Sequence, residues 1–166
     1  MTQLIIFVIV TLFGQPVIPD HLSSDKNFNF IDEFEKNKAT FNPDTFDLSE
    51  HSTEGGQLIV FHKKDQAYLV FDIRVFGESG RIHATYWTDT DINFIIVKRT
   101  DFSYDKPLYE KDFKVTETTQ YLSYHADGTT IYDSERKVLS DPLANEKKMQ
   151  YEEFFHKVTK GLKIEK

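Results

Sequence analysis

The chain has 166 residues, a formal net charge of −7 and no cysteine. This length is typical of a single domain and is sufficient for a sizeable core. The acidic charge, with no clustered basic stripe, argues against nucleic-acid binding, which relies on lysine and arginine to neutralise phosphates. The lack of cysteine excludes disulfides, thiolate chemistry and cysteine-based zinc sites. Aromatic residues make up 14% of the chain, which favours a packed core with β-structure.

Residues 1–14 are predicted to be a signal peptide. Residues 4–13 form an apolar run of about ten residues, interrupted only by Thr11, whereas a membrane-spanning helix needs about 20. Gly14 supplies the small residue before a cleavage site, so the mature chain would begin at Gln15. The alternative is a buried N-terminal strand, which would need a covering layer on both faces. The expectation is an exported protein, periplasmic or secreted, with no stable membrane anchor after cleavage.

The start of the mature chain is predicted to be a flexible lead-in, because residues 15–27 are polar and punctuated by proline. In residues 28–41, Ile31 and Phe34 lie at i, i+3 and indicate a short N-terminal helix. The sequence Asn-Pro-Asp at residues 42–44 is expected to end this helix, since a residue before proline disfavours the helical conformation.

From residue 57 onward, apolar residues recur at every second position, which indicates β-strands. The pattern is clearest in residues 67–76, where Leu69 and Phe71 alternate with Val70 and Asp72. Short turns connect the strands, and residues 100–109 are expected to be a longer crossing segment. The predicted strands are residues 57–63, 67–76, 81–88, 92–99, 111–126 and 129–133.

A C-terminal helix is predicted for residues 145–162. Tyr151, Phe155, Val158 and Leu162 recur at helical spacing and form one stripe that would cover one face of the sheet. The fold class is therefore α+β. It comprises an antiparallel β-meander of about six strands, a C-terminal helix packed on one face and a short N-terminal helical segment, in a single domain of residues 28–166.

Four segments between residues 71 and 139 resemble a group of uncharacterised secreted β-rich proteins of Bacteroidota. These segments are a Phe-Gly-Glu-Ser-Gly hairpin at 76–80, an aromatic strand at 85–87, a Tyr-x-x-Pro-x-Tyr segment at 104–109 and a closing hairpin at 121–128. The resemblance covers about half of the mature chain and implies a shared fold. It implies no activity.

The histidines do not indicate a catalytic or metal site. None of the six has the spacing of a metal-binding motif. His62, His83 and His125 fall on different predicted strands and could meet only if those strands were neighbours. Solvated strand residues are the simpler interpretation, so no catalytic residue is assigned.

The aspartates near residue 90 are better explained as turn residues than as calcium ligands. Asp89, Asp91 and Asp101 lack the glycine and the distal glutamate of a calcium-binding loop. Aspartate is common in β-turns because its side chain bonds the nearby backbone. No metal ligand and no cofactor are therefore expected.

The most suggestive feature is the number of aromatic side chains in the strands. Tyr86 and Trp87 are adjacent, so the pleat points them to opposite faces, and one helix covers only one face. Tyr86, Trp87 and Tyr124 are therefore predicted to form a binding surface on the sheet face opposite the C-terminal helix. The alternative is that the N-terminal segment, with Phe28 and Phe34, folds across and buries these rings.

Three classes of function remain open. The first is a non-enzymatic exported binding or interaction module of the cell envelope or secreted space, with a protein or glycan partner. The second is a small hydrolase whose site is assembled from separated strands. The third is an inhibitor or immunity-type protein whose acidic charge docks on a basic partner. Because no catalytic motif is present, the sequence favours a binding protein over an enzyme. It identifies neither the partner nor the oligomeric state.

Overall fold

A computed structural model describes residues 25–107, 109–140 and 142–162. The predicted signal peptide, residues 1–14, and residues 15–24 of the predicted lead-in lie outside these ranges. Export therefore stays a prediction.

The described chain forms one sheet of seven strands, in which each strand is antiparallel to the next and follows it in space. This arrangement confirms the predicted antiparallel meander and adds one strand, β1, to the six that were expected. The strands are β1 (Asn42–Asp47), β2 (Gly56–His62), β3 (Tyr68–Gly77), β4 (Gly80–Asp89), β5 (Phe94–Tyr104), β6 (Val115–His125) and β7 (Gly128–Tyr132).

Strand β1 was not predicted because its residues are poor strand formers. It contains Pro43 and two aspartates. Proline lacks the backbone N–H that other residues of a strand donate to a neighbouring strand. Strand β1 pairs only with β2, so it lies at the edge of the sheet, where proline is tolerated. Phe46 anchors the strand by packing against the core.

Strand β5 extends to Tyr104, past its predicted end at residue 99. Residues 100–104 were expected to cross the sheet, but Thr100, Phe102 and Tyr104 continue the alternation and pair with β6. This extension places Thr100 and Phe102 at the end of the sheet that carries the β3–β4 hairpin.

Two helices complete the fold. Helix α1 (Phe28–Asn37) and helix α2 (Ala144–Thr159) confirm the predicted N-terminal and C-terminal helices. Within the described ranges, no helix combines the length and the apolar character that crossing a bilayer requires.

Helix α2 covers one face of the sheet, here called the α2 face. Its residues Tyr151, Phe155 and Val158 are buried, as the predicted stripe requires. The ring of Phe155 packs against Phe71 and Tyr86, with centroid distances of 5.0 and 4.8 Å. The stripe therefore forms the core between α2 and the sheet.

Helix α1 covers part of the opposite face, here called the α1 face. Its buried residues are Phe28, Ile31 and Phe34. The ring of Phe34 meets Phe61 and Trp87 edge-on, with centroid distances of 5.1 and 6.1 Å. The domain is thus a sheet between two helices, with a separate hydrophobic core on each face.

The residues before α1 fasten it to the sheet. The Asn27 amide donates to the Ser123 hydroxyl at 2.8 Å and to one carbonyl each of β5 and β6 at 3.1 and 2.9 Å. The hydroxyl of Tyr132 donates to the buried carboxylate of Asp25 at 2.9 Å. Residues 25–27 were assigned to a flexible lead-in, but these hydrogen bonds make them part of the folded domain.

The β3–β4 hairpin closes tightly. Gly77 pairs with Gly80, so Glu78 and Ser79 form the turn. A Cβ atom added at Gly80 would lie 2.3 Å from the carbonyl oxygen of Phe102. Glycine at position 80 therefore allows β5 to pack close to the end of this hairpin.

We expect the cores on both faces to be required for stability. Phe34→Ala and Phe155→Ala should each lower the free energy of unfolding by about 3–5 kcal/mol, because each ring is buried. Lys157→Ala, on the exposed side of α2, should change it by less than about 0.5 kcal/mol. Urea denaturation measures all three, and a near-neutral Phe34→Ala would show that α1 is not part of the cooperative domain.

Candidate functional site

The predicted binding residues Tyr86 and Trp87 are both in the core. Tyr86 is 0% exposed, and its hydroxyl donates to the carbonyl oxygen of Tyr151 on α2 at 2.8 Å. Trp87 is 1% exposed and lies beneath Phe34 of α1. The two side chains point to opposite faces, as predicted, but a helix covers each of them.

Tyr124 is also largely covered. Its ring lies on the α2 face, 5.5 Å from the ring of Phe94, and the ammonium of Lys148 on α2 lies 5.8 Å from its centroid. Burial, together with the nearby carboxylate of Glu152, raises the pKa of the Tyr124 hydroxyl. The expected surface around Tyr86, Trp87 and Tyr124 is thus not accessible to a partner in the folded domain. Tyr86 and Tyr124 lie on the α2 face itself, and the N-terminal segment with Phe28 and Phe34 folds over Trp87, which was the alternative to an exposed surface.

The α1 face continues beyond α1 toward the β3–β4 hairpin, and this part has no helix over it in the described structure. Strand pairing arranges six side chains there in two rows of three. In the first row Arg74 is opposite His83, and His83 is opposite Thr100. In the second row Arg81 lies between two aromatic neighbours, Phe76 on β3 and Phe102 on β5.

All of these side chains except Thr100, together with Ile82, line a cleft of about 380 Å³, which is in the range of small-molecule sites. Phe76 is 39% exposed and presents its ring to this cleft. The guanidinium of Arg81 lies over the Phe102 ring, 4.1 Å from its centroid. We call this site the open cleft and define it by Arg74, Phe76, Arg81, His83 and Phe102.

A buried carboxylate organises the polar side of the open cleft. Asp72 is 4% exposed and belongs to the same face of β3 as Arg74. It accepts hydrogen bonds from His83 Nε2 at 3.0 Å and from Arg74 Nε and Nη2 at 3.1 and 3.2 Å. Burial alone would raise the pKa of Asp72, but the hydrogen bonds and charges of His83 and Arg74 outweigh it and hold the pKa below its usual value.

A second cleft, of about 340 Å³, adjoins the same hairpin and includes residues of the α2 face. Phe76, Arg81 and Phe102 border it as well, and its other polar lining residues are His51, Asp101 and three serines. It lacks Arg74 and His83, the two side chains that Asp72 holds in the open cleft. The open cleft therefore offers the stronger set of ligand-binding groups.

The three strand histidines do not meet. Each contacts a different aspartate, so the described structure holds three separate pairs. The pairs are His62–Asp44 at 3.1 Å, His83–Asp72 at 3.0 Å and His125–Asp25 at 3.4 Å. Only the second pair borders the open cleft.

The described residues contain no group of three or more histidine, aspartate or glutamate side chains placed to hold a metal ion. Asp89 accepts hydrogen bonds from the backbone N–H groups of Asp91 and Asn93 at 2.8 and 2.9 Å. It therefore acts as a turn residue, as expected. Asp101 instead forms an ion pair with Arg99 at 2.8 Å.

The Asp72–His83 pair resembles half of a hydrolytic dyad, because a carboxylate that orients a histidine is a feature of hydrolases. The other half would be a nucleophile bonded to the imidazole. In the described chain no hydroxyl is hydrogen-bonded to His83. The cross-strand neighbour Thr100 instead pairs its hydroxyl with Thr119 at 2.9 Å.

Sequence reasoning missed the open cleft, although one signal was available. The face of β3 that contains Tyr68 and Val70 becomes charged at Asp72 and Arg74 before ending in Phe76. An apolar face that turns charged partway along a strand marks the limit of its core. This change along β3 identifies one wall of the site. It does not give the pairing with β4 and β5, which places Arg81, His83 and Phe102 beside that wall.

No protein-family model, curated protein or solved structure matches this chain. The resemblance to secreted proteins of Bacteroidota therefore stays an expectation.

We expect Asp72 to make the stability of the domain depend on acid pH. Its pKa is lower in the folded state than the unfolded value of about 3.9, so its ionised form stabilises the domain above that pH. This contribution is lost as the pH falls below about 4 through the folded pKa. Asp72→Asn should therefore lower the free energy of unfolding by about 1–3 kcal/mol at pH 7, and by clearly less at pH 3.

Urea denaturation at the two pH values measures this effect. Asp44→Asn is the matched control, because Asp44 also pairs with a histidine but its side chain is 45% exposed. The control should change stability by less than about 1 kcal/mol. An equal loss for Asp72→Asn at pH 7 and pH 3 would contradict the assigned role of the carboxylate.

Proposed function

We propose that this protein is a non-enzymatic binding module whose ligand lies in the open cleft. The observation that supports the proposal most directly is the end of the sheet that neither described helix covers. There, exposed aromatic and cationic side chains line one concave site. Large apolar side chains are usually buried, and their exposure beside converging polar groups is typical of a recognition site.

Binding fits the cleft better than hydrolysis does. The cleft has an oriented histidine, but the nearest hydroxyl in register, on Thr100, is 5% exposed as a residue and bonded to Thr119. Arginine and phenylalanine, by contrast, provide directional hydrogen bonds and stacking surfaces without taking part in bond cleavage. These residue types are suited to holding a ligand.

The inhibitor alternative rests on the net charge of the whole chain. Docking on a basic partner would call for an acidic surface. The open cleft has the opposite character, since Arg74 and Arg81 face it. The cleft is therefore better suited to an anionic ligand than to a basic partner, and it does not support the inhibitor alternative.

We also propose that the protein acts outside the cytoplasm, in the periplasm or after secretion. This part of the proposal depends on the predicted signal peptide, residues 1–14. The partner could be a protein or a glycan that presents a small group to the cleft, and a free small molecule would fit the volume equally well.

A fragment screen with mapping by ¹H–¹⁵N NMR tests the proposal. Fragments that bind should shift the amide signals of residues 74–83 and 100–103 more than those of other residues. Phe76→Ala should weaken these fragments by at least about tenfold, because it removes a stacking wall of the cleft. Since Phe76 is partly exposed, the melting temperature should change little.

Met149→Ala is the matched control, since Met149 is an exposed apolar residue on α2. It should leave both fragment affinity and melting temperature unchanged. Fragments whose shifts cluster elsewhere, or fragments that bind Phe76→Ala as well as the unaltered protein, would contradict the proposed site.

A further inference from the structure

The class of ligand can be inferred from the charges and rings of the open cleft, and this inference rests on the proposed function. We infer that the cleft binds an oxyanion, a carboxylate or a phosphate, carried on a flat apolar ring. The two arginines would hold the oxyanion, and the two phenylalanines would contact the ring.

Arg74 is fixed in place and still has donors to offer. Its Nε and Nη2 atoms bond to Asp72, which uses one edge of the guanidinium. The side chain is 43% exposed, so the remaining N–H groups face the cleft and solvent. A guanidinium edge of this kind matches the geometry of a carboxylate or phosphate.

Arg81 is held by stacking instead of by a salt bridge. Its guanidinium lies 4.1 Å from the centroid of the Phe102 ring. In the described part of the chain it forms no ion pair, so its N–H groups are not neutralised by a carboxylate. Stacking fixes the plane of the guanidinium while its donor edge stays available.

The register places the two arginines on the same face of neighbouring strands. Arg74 is opposite His83, and Arg81 lies two residues before His83 on the same face of β4. The two arginines are therefore diagonal neighbours, with Cα atoms about 7–8 Å apart. Arginine side chains are long enough for both to contact a single anion from that distance.

The charges around the cleft also favour an anion. Lys98 lies on the same face, one row nearer to α1, and forms no ion pair within the described ranges. The carboxylates nearest to the cleft in the strand register are Asp72, which is buried and bonded to Arg74 and His83, and Glu117, which pairs with Phe102 across β5 and β6. Asp47 lies on the same face at the edge strand β1, two strands from Arg74, and bonds to Ser49. The cleft is thus a local cationic site in a chain whose net charge is −7.

The apolar part of the ligand is inferred from the aromatic row. Phe76 and Phe102 flank Arg81 on the two neighbouring strands. An oxyanion held between the arginines would place an attached ring beside these side chains, where flat surfaces stack. An isolated inorganic anion would leave this surface unused.

A ¹H–¹⁵N NMR titration with four probes tests the inference. Benzoate and phenyl phosphate carry the two oxyanions on a ring, and benzamide and phenol are neutral rings of similar size. We expect both oxyanions, or one of them, to bind at residues 74–83 and 100–103 at least about tenfold more tightly than either neutral probe. Arg81→Gln should remove this preference, because it removes the one arginine of the cleft whose charge is not neutralised by a carboxylate.

Lys157→Gln is the control for charge, since it removes one exposed cation on α2, and it should leave the affinities unchanged. Neutral probes that bind in the cleft as tightly as the oxyanions would overturn the inference but leave the proposed binding site intact. Probes that shift no signals in the cleft, while other fragments do, would also overturn the inference alone. A cleft that responds to neither probes nor fragments would overturn both.

Discussion

The pleat of strand β4 is the constraint on which the rest of the domain depends. Tyr86 and Trp87 are consecutive, so they point to opposite faces of the sheet, and both are too large and apolar to remain in water. The sheet therefore needs cover on both faces. Helix α2 supplies it for Tyr86, and helix α1, held by Asn27, supplies it for Trp87.

The open cleft follows from the sizes of these elements. Helix α1 has 10 residues and is about 15 Å long, whereas strands β3 and β4 have 10 residues each and extend about 33 Å. A helix of that length does not reach over the whole face. The residues that it leaves uncovered are charged or polar near Asp72 and aromatic at the hairpin, so the cleft can remain open without a large exposed core.

The sequence predicted the elements well because periodicity is a local property. The alternation in residues 67–76 and the stripe from Tyr151 to Leu162 identified a strand and a helix that the structure confirms, although the helix ends at Thr159, before Leu162. The site was less predictable, because it depends on register. Tyr86, Trp87 and Tyr124 were chosen by residue type, but α2 covers Tyr86 and Tyr124, and α1 covers Trp87. The docking of α1 through Asn27 has no local sequence signal.

Asp72 gives the strongest physical reason to regard the open cleft as a functional site. A buried ionised carboxylate carries a desolvation cost, and a well-packed apolar side chain at such a position is often neutral or stabilising. An apolar residue at this position would contact Ile59, one of the two cross-strand neighbours on the same face; the other is Thr85. The carboxylate instead fixes the orientation of Arg74 and His83 at the wall of the cleft. Side chains held in this way bind a ligand without losing further conformational freedom, so the cost to stability is offset when the cleft is occupied.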